Sequence, residues 1–426
     1  MEEQMIINGV DVMEQESGAA LDLLYKEMQK VECWHEDGGS FGNMMKLTRA
    51  MITIADPDDD DEMKYVFEAL RRVLNFLNSF SCDDVEKGSE LEILDFLVEK
   101  GISITESRYY SGERTNLRDY LIKRVFNKYP LIEKLSQMGI DLNEALVDGI
   151  TPVHILVDCG RKGSPCKVEE EEQELARIMD FFSVESMEAL DKNGTSAVHT
   201  AVEENHFEVL EAMIRKGINV NLTEDRPAVA GTTLLHKACA YGFPKMVQIL
   251  MDAGADDTMK DVNEETPAHV AVSEKVYFKK ITEEERAEMI KALKHIDIPG
   301  RGGQTPLMLA QDYHLHISGT LTPVLIAKGA DVNRKDDEGN NAIMLYAKWY
   351  CHMSVLKPMV KAGLDINARN NEGNTVLHLA LKNRCSEEAR YLLKKGADYT
   401  IANKEQATPL QIAVEQGLEE VLELMV

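Results

Sequence analysis

Large rings are scarce in this chain: two tryptophans, and aromatic residues at only 6% of the whole. With so few, a core must be assembled in thin layers from Ala, Leu, Val and Met. Paired thiols are missing too. The seven cysteines, Cys33, Cys82, Cys159, Cys166, Cys239, Cys351 and Cys385, show no Cys-x-x-Cys spacing, which points to reduced, intracellular usage and a cytoplasmic location. Met1-Glu-Glu-Gln-Met5 has neither a basic region nor an apolar run, so no signal peptide is expected, and no stretch approaches membrane-spanning length. Positive charge is in short supply, with 47 Lys and Arg against 74 Asp and Glu and a net charge of −27. Such a surface repels phosphate backbones and anionic membranes, so neither nucleic acid nor membrane is expected as a partner. A protein with a basic face would be drawn in faster, in a salt-dependent way. The plainer reading of the charge is solubility. No Gly-x-Ser-x-Gly, His-Glu-x-x-His or kinase signature occurs, and no cofactor site is expected.

What the chain does have is repetition. Leu250-Met-Asp-Ala-Gly254-Ala-Asp256 recurs as Ala327-Lys-Gly329-Ala-Asp-Val-Asn333, Ala362-Gly363-Leu-Asp-Ile-Asn367 and Leu392-Leu-Lys-Lys-Gly396-Ala-Asp398. Gly217-Ile-Asn-Val-Asn221 is a further copy, and Gly139 and Gly101 close fainter ones. From Gly329 to Gly363 is 34 residues and from Gly363 to Gly396 is 33, a period that marks a stacked array. A second phrase keeps the same beat: Gly149-Ile-Thr-Pro-Val-His154, Gly194-Thr-Ser-Ala-Val-His199, Gly231-Thr-Thr-Leu-Leu-His236 and Glu265-Thr-Pro-Ala-His269. It continues as Gly303-Gln-Thr-Pro-Leu-Met308, Gly339-Asn-Asn-Ala-Ile-Met344, Gly373-Asn-Thr-Val-Leu-His378 and Ala407-Thr-Pro-Leu-Gln411.

Each phrase has a local meaning. Thr caps a helix, and Pro just after it loses no amide bond. Gly at the end of Leu-Leu-x-x-Gly suits the left-handed residue that stops a helix. Ala-Asp-Val-Asn and the following Asp-x-x-Gly are turn chemistry for a hairpin. Each unit therefore reads helix, turn, helix, hairpin, and is stable only against its neighbours. With these phrases the chain resembles the ankyrin repeat family, over eight repeats from about Asp148 to the C-terminus. The resemblance implies an all-α solenoid that presents a binding surface and performs no chemistry.

Worn copies extend the array backwards. Leu91–Lys100 ends at Gly101, Thr115-Asn-Leu-Arg118 stands where Thr-Pro-Leu-His would, and Leu131–Met138 ends at Gly139. The expected organisation is an N-terminal helical cap over 1–60, degenerate repeats over 61–147 and the clear array over 148–426. Helices are expected around Ala20–Val31, Asn43–Ile54 and Met63–Phe80, with Asp56–Glu62 a solvated acidic loop between the last two. A small separate N-terminal domain is the alternative. Insertions fall at residues 160–175, 222–230 and 275–280, where function or mere loop drift can concentrate. The final helix, with Glu419, Glu420 and Glu423, is either itself the cap of the array or the sequence stops short of one.

Five histidines share one slot: His154, His199, His236, His269 and His378. Stacked helices stand about 8–10 Å apart, whereas zinc holds its ligands at about 2 Å, so adjacent rungs cannot share an ion. These residues are expected to tie each helix to the neighbouring hairpin. Gly300-Arg-Gly-Gly303 lacks the Gly-Lys-Ser or Gly-Lys-Thr of a phosphate loop and reads as a hairpin tip. The run Asp58–Asp61 lacks the alternating spacing of a calcium loop. One pattern does suggest binding: Tyr241, Tyr313 and Trp349 end three first helices at equivalent slots, with Tyr350 following. By the resemblance these slots border the concave face, together with tips such as Asp336, Asp337 and Glu338. Exposed aromatics in a column make a hot spot; packing between repeats is the alternative. The resulting reading is a non-catalytic scaffold that holds a protein with a basic surface on its concave face, or, more narrowly, an inhibitor or immunity protein masking a basic effector. A reading of another class is an enzyme subunit with a cryptic catalytic N-terminal region. Oligomeric state is not encoded in these patterns.

Overall fold

Ser, Thr or Asn opens nearly every first helix of the array, and the reason is visible in the caps. The side chains of Ser196, Thr233, Thr305 and Thr408 each accept the backbone N–H three residues on, and Pro follows directly at Thr266, Thr305 and Thr408. The computed structural model describes residues 6–7, 10–11, 15, 17–30, 38–56, 59–77, 89–100, 102–103, 108–110, 113–115, 118, 122, 128–145, 149–158, 168–224, 230–273, 281–310, 318–348 and 352–425. It divides into two units, residues 1–192 with 215–217, and residues 193–214 with 218–426.

The second unit is a stack of helix pairs. First helices are Ala197–Glu203, Leu234–Tyr241, Pro267–Val272, Pro306–Leu309, Ala342–Ala347, Val376–Lys382 and Pro409–Glu415. Their partners are Phe207–Lys216, Pro244–Asp252, Glu283–Ala292, Ser318–Ala327, Met353–Lys361, Ser386–Lys394 and Glu419–Leu422. First helices pack on first helices and second on second, so one continuous core runs along the stack. Its residues are small or aliphatic, as the shortage of rings requires: Leu235, Ala238, Val247, Leu250, Leu377, Ala380 and Leu392 are almost wholly buried. Each such Leu is worth about 1.5–3 kcal/mol of transfer free energy. Gly363, which follows the helix Met353–Lys361, has φ +92 and is, among the described residues, one of five helix-ending glycines with φ between +88 and +99.

The first unit is also helical, with two small exceptions. Helices Ser17–Lys30, Gly38–Ile54 and Asp60–Leu77 pack on one another around Leu21, Met51 and Leu70. The acidic stretch is only partly a loop: Asp60, Asp61 and Glu62 form the first turn of the third helix, and Asp59 Oδ1 accepts the N–H groups of Asp61 and Glu62. Acidic residues suit that end of a helix dipole, which is why the run nucleates rather than breaks it. Helices Ser89–Glu99, Lys128–Gln137, Pro152–Asp158, Val168–Ile178 and Val184–Glu188 follow. Ile6–Ile7 pairs with Val10–Asp11, and Arg108–Tyr110 with Glu113–Thr115, as two antiparallel ribbons. Thr115 ends the second strand of the latter ribbon. Arg118, in the histidine slot of that worn copy, is buried and donates to the carbonyls of Asp141 and Glu144. The long guanidinium reaches a following loop where imidazole would otherwise do so.

Candidate functional site

The histidine slot works as a two-sided clamp. At Thr233, Thr266 and Thr375 the backbone N–H donates to Nδ1 of the histidine three residues later, at 3.1–3.2 Å. The imidazole thus plays the part that Glu plays in an ordinary capping box. With Nδ1 an acceptor, Nε2 carries the proton. It donates across to the next repeat: His236 to Glu265 O at 2.9 Å, His269 to Gln304 O at 3.0 Å and His378 to Ala407 O at 3.2 Å. Burial pushes all three imidazoles below their ordinary pKa of 6.5, which keeps them neutral. The slot tolerates substitutes: Gln411 Oε1 accepts from Thr408 N at 2.8 Å, and Met308 stands there at Thr305. Among the described residues no group of three or more His, Cys, Asp or Glu is placed to hold a metal ion.

The hairpins stack by their backbones. Asp337 N donates to Gly302 O, Asn371 N to Glu338 O and Lys404 N to Glu372 O, all at 2.9–3.0 Å. Beneath the tips runs a buried amide ladder, Asn370 Nδ2 to Asn340 Oδ1 at 2.9 Å and Asn403 Nδ2 to Asn374 Oδ1 at 2.8 Å. At the other end of each unit Asn333 Oδ1 accepts Asp365 N, and Asn367 Oδ1 accepts Asp398 N. Close approach at the tips requires the glycines: a Cβ on Gly339 would lie 2.6 Å from Asn371 Oδ1 and 2.9 Å from its backbone nitrogen.

This frame sorts the site residues proposed from sequence. Asp336 is buried, not exposed at the tip, because its carboxylate accepts the N–H groups of Glu338 and Asn340 and closes the turn. Asp337 and Glu338 are exposed. Glu338 pairs with Lys348 at 3.1 Å, and that contact holds its carboxyl below the usual carboxylate range. Tyr241 is half-buried and stacks on Phe243, ring centroids 5.9 Å apart and planes 16° from parallel. Tyr313, Trp349 and Tyr350 lie outside the described residues, as do most residues of the insertions at 160–175, 222–230 and 275–280.

The structure also holds a charged cluster that the sequence reading passed over. Lys237 occupies the slot filled by Val270, Leu379 and Ile412 in other repeats, and it is just as buried. Its ammonium meets Glu224 Oε1 at 2.7 Å and the carboxylate of Glu203. Glu224 is itself buried and belongs to the lengthened hairpin, so the cluster pins that hairpin against two first helices. A second buried cation, Arg286, donates to Ala271 O and Ser273 O and so closes the helix that precedes residues 274–280.

Sequence comparison decides what this architecture is. Models described as ankyrin repeats match residues 198–251, 313–403 and 343–426. Residues 198–251 and 313–426 are ankyrin repeats. B-cell lymphoma 3 protein homolog of Mus musculus is 29% identical over 146 residues, 34% of this chain and 29% of the relative. Rabankyrin-5 of Homo sapiens is 25% identical over 237 residues, 52% of this chain and 16% of the relative. Neurogenic locus notch homolog protein 1 of Homo sapiens is 29% identical over 237 residues, 55% of this chain and 7% of the relative. The aligned ankyrin segment thus spans less than a third of the length of each of these curated relatives. A crystal structure of the ankyrin repeat domain of Bcl-3 aligns with 21% identity and a TM-score of 0.45, covering 55% of this chain and 99% of that one. No helix among the described residues is long and apolar enough to cross a membrane.

Proposed function

We propose that this ankyrin-repeat protein is a non-catalytic binding scaffold whose first-helix and hairpin face holds a protein partner with a basic surface. One observation carries the reading: the hairpin backbones are locked to one another from repeat to repeat, while the side chains at their tips stay outside. A surface ordered before binding loses little entropy when it binds. The tips present Asp337, Glu338, Glu372 and Glu405 on a chain of net charge −27, which favours a cationic face. Tyr241 on Phe243 is the described aromatic anchor, and Tyr313, Trp349 and Tyr350 extend the proposal along the sequence. An inhibitor of a basic effector is a narrower form of the same reading. A cytoplasmic location belongs to this proposal as well.

The test begins with affinity capture from the source cell and purification of the protein captured. Tyr241→Ala is expected to weaken its binding at least tenfold, about 1.4 kcal/mol, with the fold intact. Asp337→Lys is expected to slow association, an effect that fades at high salt. Normal binding by both variants would move the interface off this face.

A further inference from the structure

The histidine clamp is not fitted at every junction of the stack. His236 ties helix Leu234–Tyr241 to the next hairpin, His269 ties Pro267–Val272, and His378 ties Val376–Lys382. The two first helices between them, Pro306–Leu309 and Ala342–Ala347, carry Met308 and Met344 in the histidine slot. A thioether is a weak acceptor and has no proton to donate, so neither Met can hold the carbonyl that the next repeat offers. Met308 keeps the near half of the clamp, loosely: Thr305 N to Sδ and Met308 N to Thr305 Oγ1 are both 3.4 Å.

Helix Ala342–Ala347 therefore lacks a histidine clamp on both sides. Asn341 caps it through Oδ1, 3.1 Å from Met344 N, but its Nδ2 is buried and finds no acceptor among the described residues. A buried donor left unbonded disfavours the closed state, and it regains water when the repeat opens. The second helices of these two repeats are interrupted as well. Ser318–Ala327 contains Pro323 and Met353–Lys361 contains Pro358, and each proline removes a helical hydrogen bond. The hairpins, by contrast, stay tied: Asp337 N to Gly302 O, Asn371 N to Glu338 O, and Asn370 Nδ2 to Asn340 Oδ1 beneath them. Missing clamps, an orphaned amide and interior prolines fall on one part of the stack, whose hairpin edge is held. We propose that the repeat built on Ala342–Ala347 and Met353–Lys361 is a joint at which the array bends, with the hairpins as pivot and the helices as the part that gives. Bending there changes the curvature of the first-helix face without disordering its hairpin edge.

The test uses the whole chain with no partner, so it stands apart from the binding reading. Spin labels on an unnatural side chain are placed in pairs at Gln248 with Ala327 and at Ala327 with Lys394, all exposed positions on second helices. The first pair spans the junctions clamped by His236 and His269, and the second spans those that carry Met308 and Met344. By double electron–electron resonance the second pair is expected to give a distance distribution at least about twice as broad as the first. Restoring the clamp with Asn341→Thr and Met344→His is expected to narrow it, since the new imidazole should reach Asn374 O as His378 reaches Ala407 O. In hydrogen exchange, Leu345 N and Lys348 N are expected to exchange at least about tenfold faster than Lys237 N and Val270 N, which make the same kind of helical bond, and the same variant should slow them. Equal breadths for the two pairs in the native chain would overturn the proposal, whether or not the variant folds. So would exchange at Leu345 no faster than at Lys237. A broad second pair that the folded variant leaves unchanged would overturn it too, because the looseness would then lie outside the clamp slot.

Discussion

Two glycines with the same backbone requirement should fail by different amounts when changed, and the difference measures how tightly the repeats stack. Gly363 has φ +92 and nothing within 4 Å of an added Cβ, so Gly363→Ala meets backbone strain alone. Left-handed geometry costs an L-residue about 1–2 kcal/mol, and loss of glycine freedom in the unfolded chain returns about 0.4–1 kcal/mol. The expected net loss is about 1 kcal/mol, larger for Gly363→Val because a branched side chain is worse still at positive φ. Gly339 has φ +76, and here the added Cβ strikes Asn371 at 2.6 Å (Oδ1) and 2.9 Å (N). Gly339→Ala must therefore also push the next hairpin away and strain the hydrogen bond from Asn371 N to Glu338 O. Its loss should exceed 2 kcal/mol, the strain of Gly363→Ala plus roughly one overpacked contact. Urea denaturation followed by helical circular dichroism gives both values from the midpoints. Equal losses, or a larger one at Gly363 than at Gly339, would refute the stacking argument.

The reverse change is expected to help where the chain has a side chain in this conformation: Glu264→Gly and Gln406→Gly, at φ +62 each, should stabilise by about 0.5–1 kcal/mol in the same assay. Lys237→Leu should cost about 3–5 kcal/mol by leaving Glu224 buried without its cation, and adding Glu224→Gln should recover most of it. Because burial depresses the His236, His269 and His378 pKa values, their unfolded forms bind protons first; stability is fully present above 6.5 and falls as pH drops below it. The lowered carboxylates such as Asp256 and Asp398 act only below their ordinary 3.8, so a midpoint that starts to fall near pH 6.5 is the histidine signature. Dialysis against a chelator should leave helicity and melting temperature unchanged, while a loss restored by zinc would overturn the clamp reading of the histidines.

Much of this was legible in the residues because the repeat imposes one backbone on many copies. Thr-Pro, the shared histidine and the Gly-Ala-Asp phrase each satisfy a helix end or a turn, and those needs are local. Burial was less legible. Asp336 belongs to a turn motif that looks exposed, yet its carboxylate folds inward onto the N–H groups of its own hairpin. Lys237 did carry a signal, a charged residue in a slot that is apolar in most copies, but its partners come from the preceding helix and a lengthened hairpin. Glu264, Arg384 and Gln406 take positive φ in slots where other copies have glycine, each held by a hydrogen bond within its own turn, to Asp261 O, Leu381 O and Asn403 O. Arg118 shows how a worn copy survives: a different side chain in the histidine slot keeps the reach into the next loop.

The central claim, that the hairpin and first-helix face is the binding surface, is tested most directly by hydrogen exchange of the whole chain with and without its captured partner. The account predicts new protection at residues 336–338 and 370–372 and along helix Leu234–Tyr241. Protection confined to the second helices, such as Pro244–Asp252 and Met353–Lys361, would contradict it.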